Sequence, residues 1–464
     1  MIVFDKVNFT YEGEAVKGAV HDFSLYIPKG ECVLICGPSG CGKTTVARMV
    51  NGLIPHYYEG KMEGTVSVAG EVVGEKELYD MAQKVGTVFQ NPRSQFFCVD
   101  TTSELAFGCE NQGLSIPEIE KRLENTITKA NLSKLMDRNI FKLSGGEKQK
   151  LACGSVMTAN PQVIVLDEPS ANLDYDAIYD LRKMLEIWKR EGKTILIAEH
   201  RLSYCLEYVD RVLVMDRGRI VLDVPAKEFA GYSDEKLHTM GLRSAENLNA
   251  KELVMERKSC EYFIVENLVF GYEKDKRVLD FSKVSLPIGE IVAVVGANGI
   301  GKTTFLRCLC GMERKCKAKL IYKGKKYSNK DRRKLLYLVM QDVNHQLFTE
   351  SVLDEVLISM EEEAEDRAYE ILEVLDLQDF AQRHPVSLSG GQKQRVAVAS
   401  AFAADREIIL FDEPTSGLDY KHMKQVGELL QKLQRAGKTV LVVTHDGELI
   451  KQYCTYIFHL EKGK

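Results

Sequence analysis

The chain has 464 residues, more than one hydrophobic core normally holds, which indicates at least two domains. Hydrophobic residues make up 45% and charged residues 28%, a mix that excludes disordered and collagen-like chains, and no apolar run approaches the roughly 20 residues of a membrane span. The net charge of -5 falls within residues 1–230 while residues 231–464 sum to about zero, so neither half has a basic surplus and no nucleic-acid partner is predicted.

The first strong signal is a glycine-rich loop between a predicted buried strand, ECVLIC, and a predicted helix. This pattern is a P-loop, in which backbone N–H groups and a helix N-terminus surround phosphate oxygens. Lys43 is expected to reach the outer phosphates, and the hydroxyl of Thr44 to bind Mg²⁺. The predicted nucleotide-binding residues of this loop are Gly37, Pro38, Ser39, Gly40, Cys41, Gly42, Lys43, Thr44 and Thr45.

An apolar strand that ends in two carboxylates follows, VIVLDEP at 163–169. Because a buried strand delivers its last residues to the rim where phosphates sit, Asp167 is expected to hold Mg²⁺ through water. Glu168 is expected to orient or deprotonate the attacking water.

The whole series returns in the second half of the chain, in the same order. Its P-loop has Lys302 and Thr303 in the roles of Lys43 and Thr44, and its predicted nucleotide-binding residues are Gly296, Ala297, Asn298, Gly299, Ile300, Gly301, Lys302, Thr303 and Thr304. Asp412 and Glu413 repeat the carboxylate pair, which predicts two competent hydrolytic sites. Alternating strands and helices in each copy predict an α/β fold with a mostly parallel sheet.

The segments LSGGEKQK at 143–150 and LSGGQKQR at 388–395 carry a family resemblance. Together with the P-loops and the carboxylate pairs, they resemble the nucleotide-binding subunits of ATP-binding cassette (ABC) proteins over nearly the whole chain. The resemblance implies two P-loop NTPase domains, each with a mainly parallel sheet core, an antiparallel β part and a helical subdomain that carries LSGG. It also implies ATP and Mg²⁺ as cofactors.

In that family, each ATP lies between the P-loop of one domain and the LSGG segment of the other, so the two halves would form an intramolecular pseudo-dimer. A serine and two glycines at a helix N-terminus can form this second anion cradle. The residues implied are Ser144, Gly145, Gly146, Glu147, Ser389, Gly390, Gly391 and Gln392. Glu147 stands where the family commonly has Gln, which predicts a modest asymmetry between the sites.

The resemblance also assigns the remaining site residues. His200 and His445 match the switch histidine that contacts the γ-phosphate and the water, and Tyr11 and Tyr272 match an aromatic residue that stacks on adenine. The γ-phosphate sensors and additional Mg²⁺ ligands implied are Gln90 and Gln341. The loops SANLD, at 170–174, and SGLD, at 416–419, match a segment that contacts the opposite site.

A polar stretch separates the copies and predicts three segments. These are a first nucleotide-binding domain at 1–230, a linker at 231–260 with room for a short helix, and a second nucleotide-binding domain at 261–464. A flexible linker of that length spans roughly 30 Å, enough to let two domains face each other.

The two copies share Gln-x-x-x-x-Gln-Φ-Phe, which ends at Phe97 and Phe348. This motif resembles the ATPases of energy-coupling factor (ECF) transporters, whose partners are a membrane scaffold protein and a small membrane subunit that binds a vitamin or metal ion. The resemblance implies an importer motor peripheral to the cytoplasmic face of the cell membrane. Two alternatives stay open: a fused sugar-importer ATPase, and a soluble translation-associated ABC ATPase, for which a longer basic linker is expected.

Overall fold

The computed structural model describes residues 1–12, 19–171, 173–246, 248, 253, 255, 261–273 and 276–461. The chain divides into two compact units, Met1–Asn247 and Leu248–Lys464. Each unit contains an antiparallel sheet, a mainly parallel sheet and a group of helices, which confirms the predicted α/β fold class with two cassettes.

The first unit begins with strands and the P-loop helix. Its strands are β1 (Ile2–Tyr11), β2 (Val20–Ile27), β3 (Cys32–Cys36), β4 (Gly60–Val68), β5 (Glu71–Val72), β6 (Val85–Val88), β7 (Val163–Asp167), β8 (Thr194–Ala198), β9 (Arg211–Asp216) and β10 (Arg219–Pro225). Its helices are α1 (Lys43–Val50), α2 (Leu53–His56), α3 (Leu78–Lys84), α4 (Thr101–Asn111), α5 (Ile116–Lys129), α6 (Gly145–Ala159), α7 (Tyr175–Arg190), α8 (Ala226–Phe229) and α9 (Asp234–Thr239).

Two sheets form the frame of this unit. The antiparallel sheet has the order β2-β1-β4-β5, and the larger sheet has the order β10-β9-β3-β8-β7-β6. Strands β6, β7, β8, β3 and β9 pair in parallel, and β10 joins antiparallel at the edge. Every residue of β3, β7 and β8 is buried, as expected for parallel strands covered on both faces.

The second unit repeats this plan. Its strands are β11 (Tyr262–Phe270), β12 (Leu279–Pro287), β13 (Ile291–Val295), β14 (Lys319–Tyr322), β15 (Lys325–Tyr327), β16 (Leu336–Val339), β17 (Ile408–Asp412), β18 (Thr439–Val443) and β19 (Tyr456–His459). Its helices are α10 (Lys302–Leu309), α11 (Asn329–Leu335), α12 (Val352–Leu357), α13 (Glu365–Val374), α14 (Gly390–Ala403), α15 (Tyr420–Arg435) and α16 (Gly447–Tyr453). The sheet orders are β12-β11-β14-β15 and, all parallel, β16-β17-β18-β13-β19.

A helical subdomain lies between the sixth and seventh strands of each unit, as predicted. It consists of α4–α6 in the first unit and α12–α14 in the second, and the LSGG segments open α6 and α14. In the part of the chain that the structure describes, no helix combines the length and apolarity that a bilayer crossing requires.

The first unit extends past residue 230, where the sequence predicts the linker to begin. Leu237 on α9 and Leu242 are buried in the same core as Phe229. One apolar residue in a short helix and one beyond its end are too few to produce a periodic signal, although they anchor this stretch to the unit. Of the predicted linker, residues 247, 249–252, 254 and 256–260 lie outside the described residues.

Candidate nucleotide site in each unit

The predicted site residues of the first unit follow four neighbouring strands. The P-loop follows β3, Gln90 follows β6, Glu168 follows β7 and His200 follows β8. Because these strands are parallel and adjacent, their carboxyl ends meet at one edge of the sheet. The fold therefore collects residues that are up to 163 positions apart in the sequence.

Glycines give the P-loop its curvature. Gly42 precedes α1 with φ of 107°, and a Cβ there would lie 2.4 Å from the carbonyl oxygen of Ala19. Gly301 precedes α10 with φ of 106°, and its Cβ would lie 2.8 Å from Val278 Cγ1. A larger residue at either position would strain or displace the loop. Both P-loops are thus shaped for a backbone cradle around an anion.

The P-loop lysines lie against the carbonyl groups of their own loops. Lys43 Nζ donates to Gly37 O at 2.9 Å and to Pro38 O at 3.1 Å. Lys302 Nζ donates to Gly296 O at 2.8 Å and to Ala297 O at 3.1 Å. Each ammonium group is therefore positioned at the phosphate cradle in the same way.

Asp167 provides a buried carboxylate beside the P-loop. Thr44 Oγ1 donates to Asp167 Oδ1 at 3.1 Å, which joins the two predicted Mg²⁺ ligands. Burial, and then the carboxylate of Glu168, raise the pKa of Asp167 to about 6, while Thr44 opposes this shift. A carboxylate in this position gains most from a nearby cation.

Asp412 has the same environment in the second unit. Burial raises its pKa, and its Oδ1 atom has no hydrogen-bond partner among the described residues. Mg²⁺ would satisfy this oxygen, so the donor set fits the ion. The described residues contain no cluster of three or more His, Cys, Asp or Glu side chains suited to a metal, so hydroxyl, amide and phosphate oxygens would complete the shell.

Glu168 lies at the centre of the first site. It has φ of 46°, and its N–H donates to Ala198 O at 2.8 Å, so the turn that ends β7 is held by β8. Gln90 Nε2 donates to Glu168 Oε2 at 2.6 Å, and His200 Nε2 lies 3.4 Å from Glu168 Oε1. The structure thus brings three predicted site residues into direct contact.

The second site has the same turn at its glutamate, and its histidine has different contacts. Glu413 has φ of 51° and donates from its N–H to Val443 O at 2.9 Å. His445 Nε2 lies 3.7 Å from Glu413 Oε1 and 3.2 Å from Asn298 Oδ1. Asn298 connects the histidine to the P-loop here, and Gln341 follows β16 as Gln90 follows β6.

The two predicted adenine-stacking residues lie beside the P-loop helices. The hydroxyl of Tyr11 lies 3.1 Å from Thr45 Oγ1, and the hydroxyl of Tyr272 lies 3.1 Å from Thr304 Oγ1. The identical anchor fixes each ring next to its P-loop.

The LSGG serines cap their helices rather than joining the site of their own unit. Ser144 and Glu147 form a capping box at the start of α6, and Ser389 and Gln392 form one at the start of α14. Within each unit the structure brings the P-loop, the carboxylates, the glutamine and the histidine to one edge of the sheet, and no hydrogen bond described for the LSGG serine reaches that P-loop.

The negative charge of Glu147 is balanced by a neighbouring arginine of the same unit. Arg138 Nη1 donates to Glu147 Oε1 at 2.8 Å. Burial raises the pKa of Glu147, but the hydrogen bonds from Ser144 and Arg138 outweigh it and hold that pKa below its usual value. In the second unit Arg383, 245 residues after Arg138, lies over the ring of Phe380. The two LSGG segments thus differ in their electrostatics as well as in sequence.

Sequence reasoning assigned no role to Glu199, a buried carboxylate next to the histidine. Glu199 Oε1 accepts from His200 N at 2.7 Å, and Oε2 accepts from Ser170 N at 3.3 Å and from the Tyr204 hydroxyl at 3.0 Å. It therefore connects the loop after Glu168 to the histidine. That loop is the SANLD segment, of which Asn172 lies outside the described residues.

In the second unit an acid on the other side of the histidine has a comparable position. Asp446 Oδ2 accepts from Thr415 Oγ1 at 2.7 Å, and Asp446 N donates to Thr444 Oγ1 at 3.0 Å. The sequence signal was an acid adjacent to each histidine, before it in AEH and after it in THD.

The fold and the geometry define each unit as a P-loop NTPase domain. The family described as ABC transporter matches residues 20–171 and 279–416. The chain belongs to this family as an ATP-binding protein with two cassettes, and it is an ATPase, which confirms both predictions.

Related proteins match this chain over most of their own length. An ABC transporter ATP-binding protein of Treponema denticola is 43% identical over 473 residues, which cover 100% of this chain and 96% of the relative. One of Methanosarcina acetivorans is 34% identical over 514 residues, with 98% and 83% covered. A solved structure of ribosome-bound archaeal Pelota and ABCE1 has a TM-score of 0.70 at 22% identity, with 99% of this chain and 77% of that one covered, a likeness of fold alone.

Proposed function

We propose that the chain is the ATP-hydrolysing motor subunit of an ECF-type importer of a vitamin or metal ion, acting at the cytoplasmic face of the cell membrane. Its partners are membrane-embedded subunits, a scaffold protein and a substrate-binding subunit. The observation that carries this proposal is an exposed apolar surface repeated at equivalent positions in both units, here called the aromatic surface.

The aromatic surface of the first unit contains Phe97, Phe107 and Phe141. Phe97 is 75% exposed and stacks on Phe107 with ring centroids 5.0 Å apart. Phe141 is 77% exposed. The segment that carries it is held against the Phe97 segment, since Ile140 N donates to Val99 O at 2.9 Å.

The second unit has Phe348, Ile358 and Val386 at the equivalent positions. These side chains are 74%, 55% and 69% exposed. Phe107, the counterpart of Ile358, is half-buried, so the exposure repeats at two of the three matching positions. Large apolar side chains cost free energy in water, and their repeated exposure at these two positions favours a protein partner over chance. A helix from a membrane subunit that packs on this aromatic surface would bury them.

Buried acids hold the leading phenylalanines outward. Glu104 Oε2 accepts from Phe97 N at 3.0 Å, and Glu355 Oε2 accepts from Phe348 N at 3.0 Å. Both acids are buried. The exposure of the phenylalanines is thus a built feature of the loop.

The second glutamine of Gln-x-x-x-x-Gln-Φ-Phe connects this surface to the nucleotide site. Gln95 Oε1 accepts from Phe89 N at 3.3 Å, next to Gln90. In the second unit Gln346 Oε1 accepts from Met340 N at 3.0 Å, next to Gln341. A displacement of Gln90, which contacts Glu168, can therefore move the aromatic surface.

The proposed cycle assigns each site residue a step. ATP joins the P-loop of one unit to the LSGG segment of the other, pairing Lys43 with Ser389 and Lys302 with Ser144. Glu168 and Glu413 accept the proton of the attacking water, and the neighbouring histidines hold the γ-phosphate. Mg²⁺ would supply charge compensation on the phosphates, held by Thr44, Gln90 and Asp167 and by the equivalent Thr303, Gln341 and Asp412.

The experiment that tests the coupling role replaces Phe97 and Phe348 by Ala together. We expect copurification with membrane subunits to be lost while ATP hydrolysis by the isolated chain is unchanged. The matched control is Tyr26→Ala with Tyr79→Ala, two aromatic residues that are 59% and 67% exposed elsewhere. Full copurification of the Phe variant, or ribosomal components as the captured partners, would contradict the proposal.

A further inference from the structure

The second unit has a strongly basic segment that the charge of the whole half conceals. Of the 21 residues 314–334, eleven are Lys or Arg and one, Asp331, is acidic. Because residues 231–464 sum to about zero, this surplus of ten positive charges is balanced elsewhere in the half. The second unit is therefore electrostatically polarised.

Ten of these eleven cations are exposed, and they lie on β14, β15 and α11 and on the segments that adjoin these elements. Lys317 and Lys319 alternate with buried residues, so they extend from the outer face of the antiparallel sheet. Lys326 pairs with Ile321 across β14 and β15, which puts it on that same face. Helix α11, which follows β15, exposes Lys330 and Arg333 with Lys334.

These cations are largely unneutralised. Within residues 314–334, all of which the structure describes, Lys323 forms the one ion pair, with Glu407 at 3.2 Å. Three acids adjoin the segment: Glu313 pairs with Arg307, Asp331 accepts a hydrogen bond from Ser328 at the start of α11, and Glu266 lies opposite Lys319 in the sheet. Lys283 on β12 pairs with Glu266 on its other side, so the row across the sheet has two lysines and one acid and is also net positive.

The equivalent segment of the first unit lacks this character. Residues 59–84 contain three lysines and six acids. Lys61 pairs with Glu63 at 2.9 Å, and Lys76 and Lys84 pair with Glu71 at 3.5 and 2.7 Å. The duplicated fold therefore does not require the basic surface, which points to a role specific to the second unit.

We propose that the outer face of β14 and β15 together with α11, here called the lysine surface, binds an anionic lipid bilayer directly. Eight of the ten exposed cations of residues 314–334 are lysines, which act as point charges on a diffuse negative surface rather than as bidentate partners of single phosphates. Residues 314–334 expose no aromatic ring on which nucleic-acid bases could stack. These features favour lipid headgroups over RNA.

This proposal rests on the proposed function in one respect, that the motor works at a membrane. It adds a second attachment, independent of the aromatic surface and confined to one of the two units. Several lysines near a surface of anionic lipid produce strong, salt-sensitive attraction without insertion. The lysine surface would therefore orient the chain relative to the bilayer before any protein partner is engaged.

The test uses the purified full chain and protein-free vesicles of phosphatidylcholine, with or without one third phosphatidylglycerol. We expect the chain to sediment with the vesicles that contain phosphatidylglycerol and not with the others, and added salt should weaken this binding. Lys317→Gln, Lys319→Gln and Lys326→Gln together should reduce binding about a hundredfold, since each surface lysine contributes roughly a fivefold factor. ATP hydrolysis should be unchanged.

The matched control removes three lysines from the equivalent segment, Lys61→Gln, Lys76→Gln and Lys84→Gln, and should bind as the unaltered chain does. Any of three results would overturn the proposal. The chain could sediment equally with both kinds of vesicle, the two triple variants could bind equally, or RNA at a matched phosphate concentration could displace the chain from the vesicles. Since the vesicles contain no protein, these outcomes are separate from loss of membrane subunits by the Phe97 and Phe348 variant.

Discussion

The buried acids beside the two histidines lead to the most direct prediction. Glu199→Gln combined with Asp446→Asn removes both carboxylates and changes the side-chain volumes very little. In the first unit the carboxylate of Glu199 accepts hydrogen bonds from His200 N, Arg201 N, Ser170 N and the hydroxyl of Tyr204. A carboxylate has two acceptor oxygens and an amide has one, so the groups that donate to one of the two Glu199 oxygens lose their acceptor.

The magnitude follows from that count. If Oε1 of the new amide keeps the His200 and Arg201 contacts, two donors that Glu199 satisfied are left facing an N–H₂ group. Each buried donor that loses its partner costs roughly 1–3 kcal/mol, so the loss of two partners should lower the unfolding free energy of the first unit by about 2–6 kcal/mol. A shift of the Ser170 loop relative to His200 should lower kcat by on the order of tenfold to a hundredfold.

The assay is steady-state ATP hydrolysis with KM and kcat measured separately. Since neither acid belongs to the P-loop, KM should change little while kcat falls. Tyr204→Phe is the control, because it removes one donor to Glu199 and leaves the carboxylate in place; it should cost about 1 kcal/mol of stability and leave kcat unchanged. A folded double variant with unaltered kcat would refute the positioning role.

Two further predictions test the metal site and the domain boundary. The pKa of Asp167 is about 6 in the folded chain against 3.8 for a free carboxyl, so the folded chain binds a proton more tightly than the unfolded chain, and the free energy of unfolding without Mg²⁺ should fall as pH rises from about 4 to about 6. In urea titrations Asp167→Asn should remove this dependence on pH and raise the free energy of unfolding by up to about 3 kcal/mol at neutral pH. An unchanged dependence on pH would contradict the assignment. Leu237→Ala should destabilise the first unit by about 2–5 kcal/mol, whereas Lys236→Ala on the exposed side of α9 should have little effect; equal effects would exclude residues 231–246 from that unit.

Much of the fold and the site could be predicted because short segments carry them. Apolar runs such as VIVLD end in side chains whose chemistry is specific, and parallel pairing then collects those ends at one edge. The contacts of Glu168 with Gln90 and His200 follow from that rule once the strands are recognised. Sequence spacing therefore predicted which residues meet, without predicting the distances between them.

Two features were not predicted, because one is hidden in the net charge of a whole half and the other depends on which side chains the fold buries. The charge of the second half averages to about zero, which conceals the lysine surface until strand alternation separates its exposed residues from its buried ones. The end of the first unit depends on Leu237 and Leu242, whose contribution becomes visible when they are seen in the core. Neither feature has a motif, so a search by motifs could not find it.

The acids beside the histidines show how a duplicated site can keep a function while its sequence positions diverge. An offset of 245 residues aligns Glu199 with Thr444 and Arg201 with Asp446, so neither acid is aligned with an acid. Both nevertheless accept a hydrogen bond from the residue two positions after the glutamate that ends the neighbouring strand, Glu168 or Glu413: Glu199 from Ser170 N and Asp446 from Thr415 Oγ1. Because Thr415 supplies a side-chain hydroxyl where Ser170 supplies a backbone N–H, the acceptor can stand on the other side of the histidine. The constraint on each site is the connection between the two loops, and either adjacent position can meet it.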